Sequence, residues 1–165
     1  MTYFTSHYDS PLGGMTMVSD GHALVALCFD GTRREFRYAD EMPTTTKLPV
    51  FDETRRWLDL YIAGEKPDSI PPLAPLGTPF QQRVWNILLT IPYGKTMSYG
   101  DIACLVSPTM SAQAVGGAVG RNPIAIIIPC HRVIGADGSL TGYGGGLERK
   151  RWMLELERQQ SMCII

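Results

Sequence analysis

A cluster of prolines between Lys66 and Gly77 divides the 165-residue sequence into two stretches with different residue patterns. Proline has no backbone N–H and biases the preceding residue towards extended conformations, so this segment cannot continue a helix or an inner strand. Such a segment is typical of a connector between lobes. We therefore expect an N-terminal lobe over residues 1–76 and a C-terminal lobe over residues 77–165.

The N-terminal stretch alternates apolar and polar residues between short glycine-containing turns, which predicts an antiparallel meander. Its strands are expected at residues 3–8, 15–19 and 23–29. Helical spacing of apolar residues then predicts a helix from Val50 to Ala63 that ends at Gly64. The polar stretch between the meander and this helix, residues 30–48, is expected to be a loop.

The C-terminal stretch opens with a helix-start signal, because Thr78 is followed by Pro79 at the first helical position and by Gln81 where a capping box needs it. A helix to about Leu89 is therefore predicted. Capping residues and apolar spacing predict three more helices, at residues 98–105, 111–120 and 147–158. The first two of these resemble a helix-turn-helix. The predicted fold class is α+β, with a small sheet-bearing lobe and a mainly helical lobe.

The predicted helix over residues 111–120 has almost no side-chain bulk, since it is built largely from alanine and glycine. Gly116 and Gly117 lie inside it, and each internal glycine costs a helix roughly 1 kcal/mol. This cost indicates that something approaches the backbone closely. Two explanations stay open: a neighbouring helix packed tightly against it, or insertion of the helix into a nucleic-acid groove.

Composition and charge exclude several classes of protein. Hydrophobic residues make up 44% and charged residues 19%, and no apolar stretch reaches the roughly 18 residues of a membrane span. The first residues lack the features of a signal peptide, so a cytoplasmic location is expected. Net charge is −1, but residues 1–80 carry 7 Lys+Arg against 11 Asp+Glu, whereas residues 81–165 carry 8 against 5. Contact with phosphate is therefore expected in the second half.

The four cysteines lie far apart, without the close pairing of a zinc site, and cytosolic thiols normally stay reduced. Neither a metal site nor a disulfide is expected. Isolated cysteines are usually inert packing, as expected here for Cys28, Cys104 and Cys163. Cys130 differs because it follows an apolar run, residues 124–128, that predicts a buried strand, and precedes the cationic His131 and Arg132. We predict that Cys130 is a reactive thiolate.

His131 is the best candidate for proton transfer near neutral pH, because the other two histidines fall in the N-terminal lobe. Successive side chains on a strand point to opposite faces, so either the chain bends at Cys130 or a water bridges the two groups. Glu157 is a plausible third group to fix the imidazole tautomer. The glycine-rich loop over residues 141–146 predicts a pocket wall of main-chain N–H groups beside Tyr143, with a merely flexible loop as the alternative.

Several segments together resemble the O6-alkylguanine-DNA alkyltransferases, also called methylated-DNA–protein-cysteine methyltransferases. The resemblance covers residues 78–158, and more weakly the opening Ser10-Pro11-Leu12-Gly13. Its segments are Thr78-Pro79-Phe80-Gln81, Met97-Ser98-Tyr99-Gly100, Gly120-Arg121-Asn122-Pro123, Ile128-Pro129-Cys130-His131-Arg132-Val133, Gly142-Tyr143-Gly144-Gly145-Gly146 and the helix Lys150 to Glu157. The resemblance implies a ribonuclease H-like N-terminal lobe and a winged-helix-like C-terminal lobe. It also implies a monomer that acts without cofactor or metal on double-stranded DNA with alkylated bases, bound through the minor groove.

The chemistry that the resemblance implies is an irreversible self-alkylation. The Cys130 thiolate would displace guanine from the carbon attached to its O6 atom, leaving repaired DNA and a spent protein. His131 would deprotonate Cys130 through a water, and Glu157 would orient His131. Asn122 would brace the turn around the site, and Tyr99 would help rotate the nucleotide and protonate the leaving guanine.

The resemblance also implies two sets of binding residues, because an alkylated base must leave the stack to meet a thiolate. The base pocket would be lined by Val133, Tyr143 and Gly144. DNA would be contacted by Ser98, Ala112, Gln113, Gly116, Arg121 and Arg132. Gln113 stands where the family usually has an arginine that fills the gap left by the flipped base, so weaker DNA affinity with reduced salt dependence is expected.

Two other functions stay open at this point. One is a sensor that binds alkylated bases without repairing them, although alkyltransferase-like relatives of that kind lack the reactive cysteine. The other is a cysteine hydrolase or redox thiol with unrelated biology.

Overall fold

The computed structural model describes residues 2–32 and 47–162. Most of the predicted loop over residues 30–48 and also Cys163 lie outside these ranges. The chain divides into two compact units, one of Met1–Leu76 with Pro123–Ala125 and the other of Gly77–Asn122 with Ile126–Ile165. Among the described residues, no helix combines the length and apolarity that crossing a membrane requires.

The first unit contains a three-stranded antiparallel sheet with the strand order of the predicted meander. Its strands are β1 (Phe4–Ser10), β2 (Gly13–Ser19) and β3 (Leu24–Phe29). Every residue of β3 is buried, which explains why its sequence is a continuous apolar run without polar alternation. Isolated bridges join β3 to Leu73 and Ile124, with Ala125 N–H donating to the Leu27 carbonyl at 2.8 Å. These backbone bonds account for the inclusion of Pro123–Ala125 in the first unit.

Helix α1 (Pro49–Ile62) ends as the sequence predicts. Gly64 adopts a φ of 83°, and the N–H groups of Gly64 and Glu65 donate to the carbonyls of Tyr61 and Leu60. This is a Schellman motif, in which a left-handed residue closes the last turn, and glycine enters that conformation at little steric cost.

The second unit is mainly helical. Its helices are α2 (Pro79–Leu88), α3 (Tyr99–Val106), α4 (Ala112–Gly120) and α5 (Leu147–Met162), and a short sheet pairs β4 (Met97–Ser98) in parallel with β5 (Val133–Ile134). The capping box that starts α2 is present, because Thr78 and Gln81 bond each other's backbone N–H groups. Trp85 Nε1 donates to the Ala118 carbonyl at 2.9 Å, which ties α2 to α4. The predicted α+β fold class is confirmed.

The prediction of a buried strand over residues 124–128 is wrong. Ile124, Ile126, Ile127 and Ile128 are buried, but the segment forms turns, with an isolated bridge at Ile124 and a φ of 68° at Ile126. A short apolar run reports burial, and burial alone does not distinguish an extended segment from a series of turns. The chain therefore reaches Cys130 through a compact bend.

Candidate active site around Cys130

The backbone bends sharply on both sides of the cysteine. Pro129 has φ −82° and ψ 65°, and the Cys130 N–H donates to the Ile128 carbonyl at 2.7 Å, which is an inverse γ-turn. A 3-10 turn over Cys130–Arg132 follows, here called the cysteine turn. The bend answers the question left open by the sequence, because Cys130 and His131 are not successive residues of a strand. Cys130 is half-buried, whereas Cys28 is buried and Cys104 exposed.

Asn122 lies where it can hold this bend. Its side-chain Nδ2 donates to the Ile128 carbonyl at 2.8 Å, and the residue is buried. The contact closes the loop between the end of α4 and the cysteine turn. A buried amide with a backbone partner fixes a loop more strongly than a surface hydrogen bond, since breaking it leaves polar groups without water.

His131 and Glu157 form a fully buried pair. Nε2 of His131 lies 2.6 Å from Oε2 of Glu157, and the side chains are 0% and 1% exposed. Burial tends to raise the pKa of Glu157, but the hydrogen bond and charge of His131, together with Arg132, hold it at about 2. Glu157 is thus an ionised acceptor near neutral pH, so the proton on their hydrogen bond belongs to His131 Nε2. The lone pair of the ring then lies on Nδ1.

Burial lowers the pKa of His131, against the opposing effect of Glu157. The nearby positive charges of Arg132 and Lys150 lower it further. The ring is therefore neutral near pH 7 and able to take a proton. A neutral imidazole with a fixed tautomer is the form that a general base requires.

Two further side chains interact with Cys130: Lys150 of α5, and Tyr143 of the glycine-rich loop that precedes α5. Lys150 is fully buried, donates from Nζ to the Thr141 carbonyl at 2.8 Å, and has a pKa lowered by burial and raised in part by Cys130. The pKa of Tyr143 is held well above 10, first by burial and then by the nearby Cys130 sulfur. Lys150, Met153 and Glu157 form one buried stripe on α5, because residues three, four and seven apart share a helix face.

The three residues expected in a base pocket occupy different environments. Val133 is buried in β5 opposite Met97, Tyr143 is half-buried, and Gly144 is exposed with open space around the position of a side chain. A cavity of about 290 Å³ in this unit is bordered by other residues, namely Gly94, Thr96, Ile134, Gly138, Leu140, Leu154, Glu157 and Arg158. That cavity therefore shares only Glu157 with the predicted site.

Helix α4 turns its low-bulk residues outwards. Val115, Ala118 and Val119 are buried, whereas Gln113, Gly117 and Gly120 are exposed. A Cβ atom built on Gly117 or Gly120 meets none of the described residues within 4 Å, so tight packing against a described helix does not explain these glycines. Of the two explanations left open by the sequence, insertion of the helix into a nucleic-acid groove stays a prediction. The exposed face of α4 is defined here as Ala112, Gln113, Gly116, Gly117 and Gly120.

Other residues expected to contact DNA lie beside this face. Tyr99, half-buried at the start of α3, lies next to Gly116, because a Cβ on that glycine would be 3.7 Å from the tyrosine ring. Ser98 caps α3 by accepting the Asp101 N–H at 3.0 Å. Arg121 is exposed just after α4.

Arg132, which the resemblance implied as a DNA contact, lies with its side chain in the interior of the second unit. Its side chain is about 10% exposed, and the guanidinium donates from Nε to Glu157 and from Nη1 to the Ile91 carbonyl, both at 2.8 Å. The 3-10 geometry of the cysteine turn directs this side chain inwards, which sequence spacing could not show. Lys150 and Gly94 were not predicted from the sequence as residues of the site. Lys150 lies seven residues before Glu157 and therefore on the same helix face, which is a signal that could have identified it.

The fold and this constellation define a class of protein, in which a half-buried cysteine and a buried imidazole–carboxylate pair share one unit with two short consecutive helices, α3 and α4. Two family models match the chain: the 6-O-methylguanine DNA methyltransferase ribonuclease-like domain over residues 3–75, and the DNA binding domain of the same family over residues 79–159. The chain belongs to the 6-O-methylguanine DNA methyltransferase family.

Individual relatives agree with this assignment over nearly the whole chain. A methylated-DNA–protein-cysteine methyltransferase of Mycobacterium leprae is 49% identical over 95% of this chain and 93% of its own length. One from Haemophilus influenzae is 43% identical over 94% of this chain and 86% of its own length. A crystal structure of Mycobacterium tuberculosis OGT in complex with DNA has 45% identity and a TM-score of 0.87, covering 95% of this chain and 94% of its own.

Proposed function

We propose that this protein repairs DNA by direct reversal, transferring an alkyl group from O6-alkylguanine to Cys130 in a single, irreversible turnover. The observation that carries the proposal is the half-buried thiol on a bend beside a neutral histidine whose tautomer is fixed by an ionised glutamate. Family membership supports the same reaction. No cofactor or metal takes part in the step.

The transfer balances with the residues present. His131 accepts the Cys130 proton through a water, and the thiolate sulfur attacks the alkyl carbon on O6. The S–C bond forms as the C–O6 bond breaks, so guanine leaves as an anion, and Tyr99 supplies a proton to the departing base. Solvent returns a proton to Tyr99 and takes one from His131. The product is a neutral thioether, which no residue of the site can cleave, and the protein is spent.

DNA recognition is proposed for the exposed face of α4, inserted in the minor groove. Its small residues allow the helix backbone to approach the groove closely, and Gln113 would occupy the space left when the damaged base flips out. The DNA complex of the Mycobacterium tuberculosis relative supports DNA as the partner. We place DNA binding and transfer in residues 77–165, and we propose that the protein acts as a monomer in the cytoplasm.

Intact mass after incubation with duplex DNA containing O6-methylguanine tests the proposal. A gain of one methyl group per chain, which stops after one equivalent, is the expected result. Tight binding to methylated DNA without a gain in mass would instead identify a sensor. If the protein neither binds the DNA nor gains mass, the result would favour the cysteine hydrolase or redox thiol.

A further inference from the structure

Arg132 makes three contacts inside the second unit. Nε donates to Glu157 Oε1 at 2.8 Å, Nη1 donates to the Ile91 carbonyl at 2.8 Å, and the guanidinium carbon lies 5.6 Å from the centre of the Tyr93 ring. The last distance is that of a cation–π contact. Because the planar guanidinium has a fixed fork of donors, the contacts with Ile91 and Tyr93 determine the direction from which Nε meets Glu157.

The Glu157 carboxylate is held from two sides. Oε1 accepts both Arg132 Nε and the Gly94 N–H, the latter at 3.1 Å, while Oε2 lies 2.6 Å from His131 Nε2. Two donors on Oε1 oppose rotation of the carboxylate about its last bond. Oε2 is thereby kept pointing at the imidazole, and the proton stays on Nε2.

We propose that Arg132 is a positioning residue for alkyl transfer, which acts on Cys130 only through Glu157 and His131 and does not contact DNA. The inference rests on the proposed function. It replaces the DNA-contact role that the resemblance implied with a role set by burial and by the geometry of the guanidinium fork.

A pH profile separates this role from a merely structural one. The charged and titratable groups that interact with the pair are Arg132 of the cysteine turn, Lys150 of α5 and Tyr93 after α2. Cys130 interacts in turn with Lys150 and with Tyr143 of the glycine-rich loop. Removing the Arg132 charge takes away one of the effects that lower the pKa of Glu157. The Arg132 charge also lowers the pKa of His131, so without it both groups take a proton at a higher pH. A protonated imidazole cannot accept the Cys130 proton, and a neutral carboxyl no longer fixes the His131 tautomer. The acid limb of the transfer rate should move towards neutral pH.

The experiment measures single-turnover methyl transfer from O6-methylguanine DNA, at saturating DNA, from acid to neutral pH. We expect Arg132→Gln to be about tenfold slower near neutral pH, a loss typical of removing an orienting partner, with the acid limb shifted upwards. Arg132→Lys keeps the charge but not the fork, so its acid limb should return towards that of the wild type while its rate stays intermediate. Arg158→Gln is the matched control, because Arg158 follows Glu157 on α5 but is 58% exposed.

Three results would overturn the inference. An equal loss of rate at every pH would indicate a structural role, and thermal unfolding of each variant shows whether the fold is the cause. Weaker DNA binding with a normal saturated rate would restore the DNA-contact role. If the wild-type protein itself takes up no methyl group, the proposed function fails and the inference fails with it. If Arg132→Gln does not fold, the Arg132→Lys profile decides.

Discussion

The buried pair at the cysteine turn and the exposed face of α4 are organised in opposite ways. His131 and Glu157 are shielded from solvent and held by several hydrogen bonds. The exposed face of α4 consists mostly of small residues, and within the part of the chain that the structure describes no atom lies within 4 Å of a Cβ built on Gly117 or Gly120. The first region has its geometry before any partner arrives, whereas the second has a surface that only a partner can complete.

This difference indicates how the two tasks are divided. Proton transfer requires fixed dipoles and a fixed tautomer, because reorganising them during reaction would add to the barrier. Groove binding, which we propose for α4, requires a surface without obstruction, and glycine leaves that surface open at a cost in helix stability. Variants should therefore fall into two groups, those that impair chemistry and stability, and those that alter DNA affinity without a loss of stability.

The largest effect is expected for Glu157→Gln. The amide has nearly the same shape but no charge, so it leaves Arg132 buried beside a neutral partner and no longer fixes the His131 tautomer. Transfer should fall by about 10²-fold, the lower range for losing general-base assistance, and the fold should lose about 3 kcal/mol. Single-turnover rates and urea unfolding measure the two losses. A variant with a wild-type rate would show that the pair is not used in the chemistry.

Acid should destabilise the fold through the same pair. The pKa of Glu157 is about 2 in the fold against 4.5 as its ordinary value, so this group contributes about 3 kcal/mol above pH 4.5 that is lost as the pH falls towards 2. The lowered pKa of His131 acts in the same direction, because below pH 6.5 the unfolded imidazole binds a proton more readily than the folded one. Unfolding free energies across this range measure the slope. In Glu157→Gln the slope below pH 4.5 should flatten, and an unchanged slope would contradict the assigned pKa.

Substitution on the exposed face of α4 should raise the stability of the fold and lower the affinity for DNA, in contrast to substitution of the buried pair. Gly117→Ala adds a Cβ in open space and removes a helix-interior glycine, so stability should rise by up to roughly 1 kcal/mol. Binding to methylated duplex DNA should weaken, since the added methyl group keeps the helix away from the groove. Asn86→Ala, at an exposed position of α2, is the control that improves a helix without touching this face. Unchanged affinity in Gly117→Ala would remove α4 from the interface.

The smallest effect is expected for Gln113→Arg. An added charge on the exposed face of α4 should tighten DNA binding and steepen its salt dependence by about one unit in the log–log slope. Gln159→Arg adds the same charge at an exposed position of α5 and should leave the slope unchanged. Equal slopes in both variants would refute a role for Gln113 at the DNA.

Local signals explain what the sequence could predict. The Thr78–Gln81 capping box and the glycine stop of α1 depend on residues within a few positions of one another, so they are visible without the fold. The bend before Cys130 is held by a hydrogen bond from the Asn122 side chain to the Ile128 carbonyl, and the apolar run does not show this contact. The inward direction of Arg132 follows from the 3-10 turn, which is a product of that bend.

The central claim is that one thiol, Cys130, accepts the alkyl group. Peptide mass mapping after incubation with an excess of O6-methylguanine DNA tests it most directly, using wild type, Cys130→Ala and Cys104→Ala, in which an exposed cysteine is removed. The account predicts one methyl group on the peptide that contains Cys130 in wild type and in Cys104→Ala, and none in Cys130→Ala, which still binds the DNA. If the Cys130→Ala variant still takes up a methyl group, on any other residue, that result would contradict the claim.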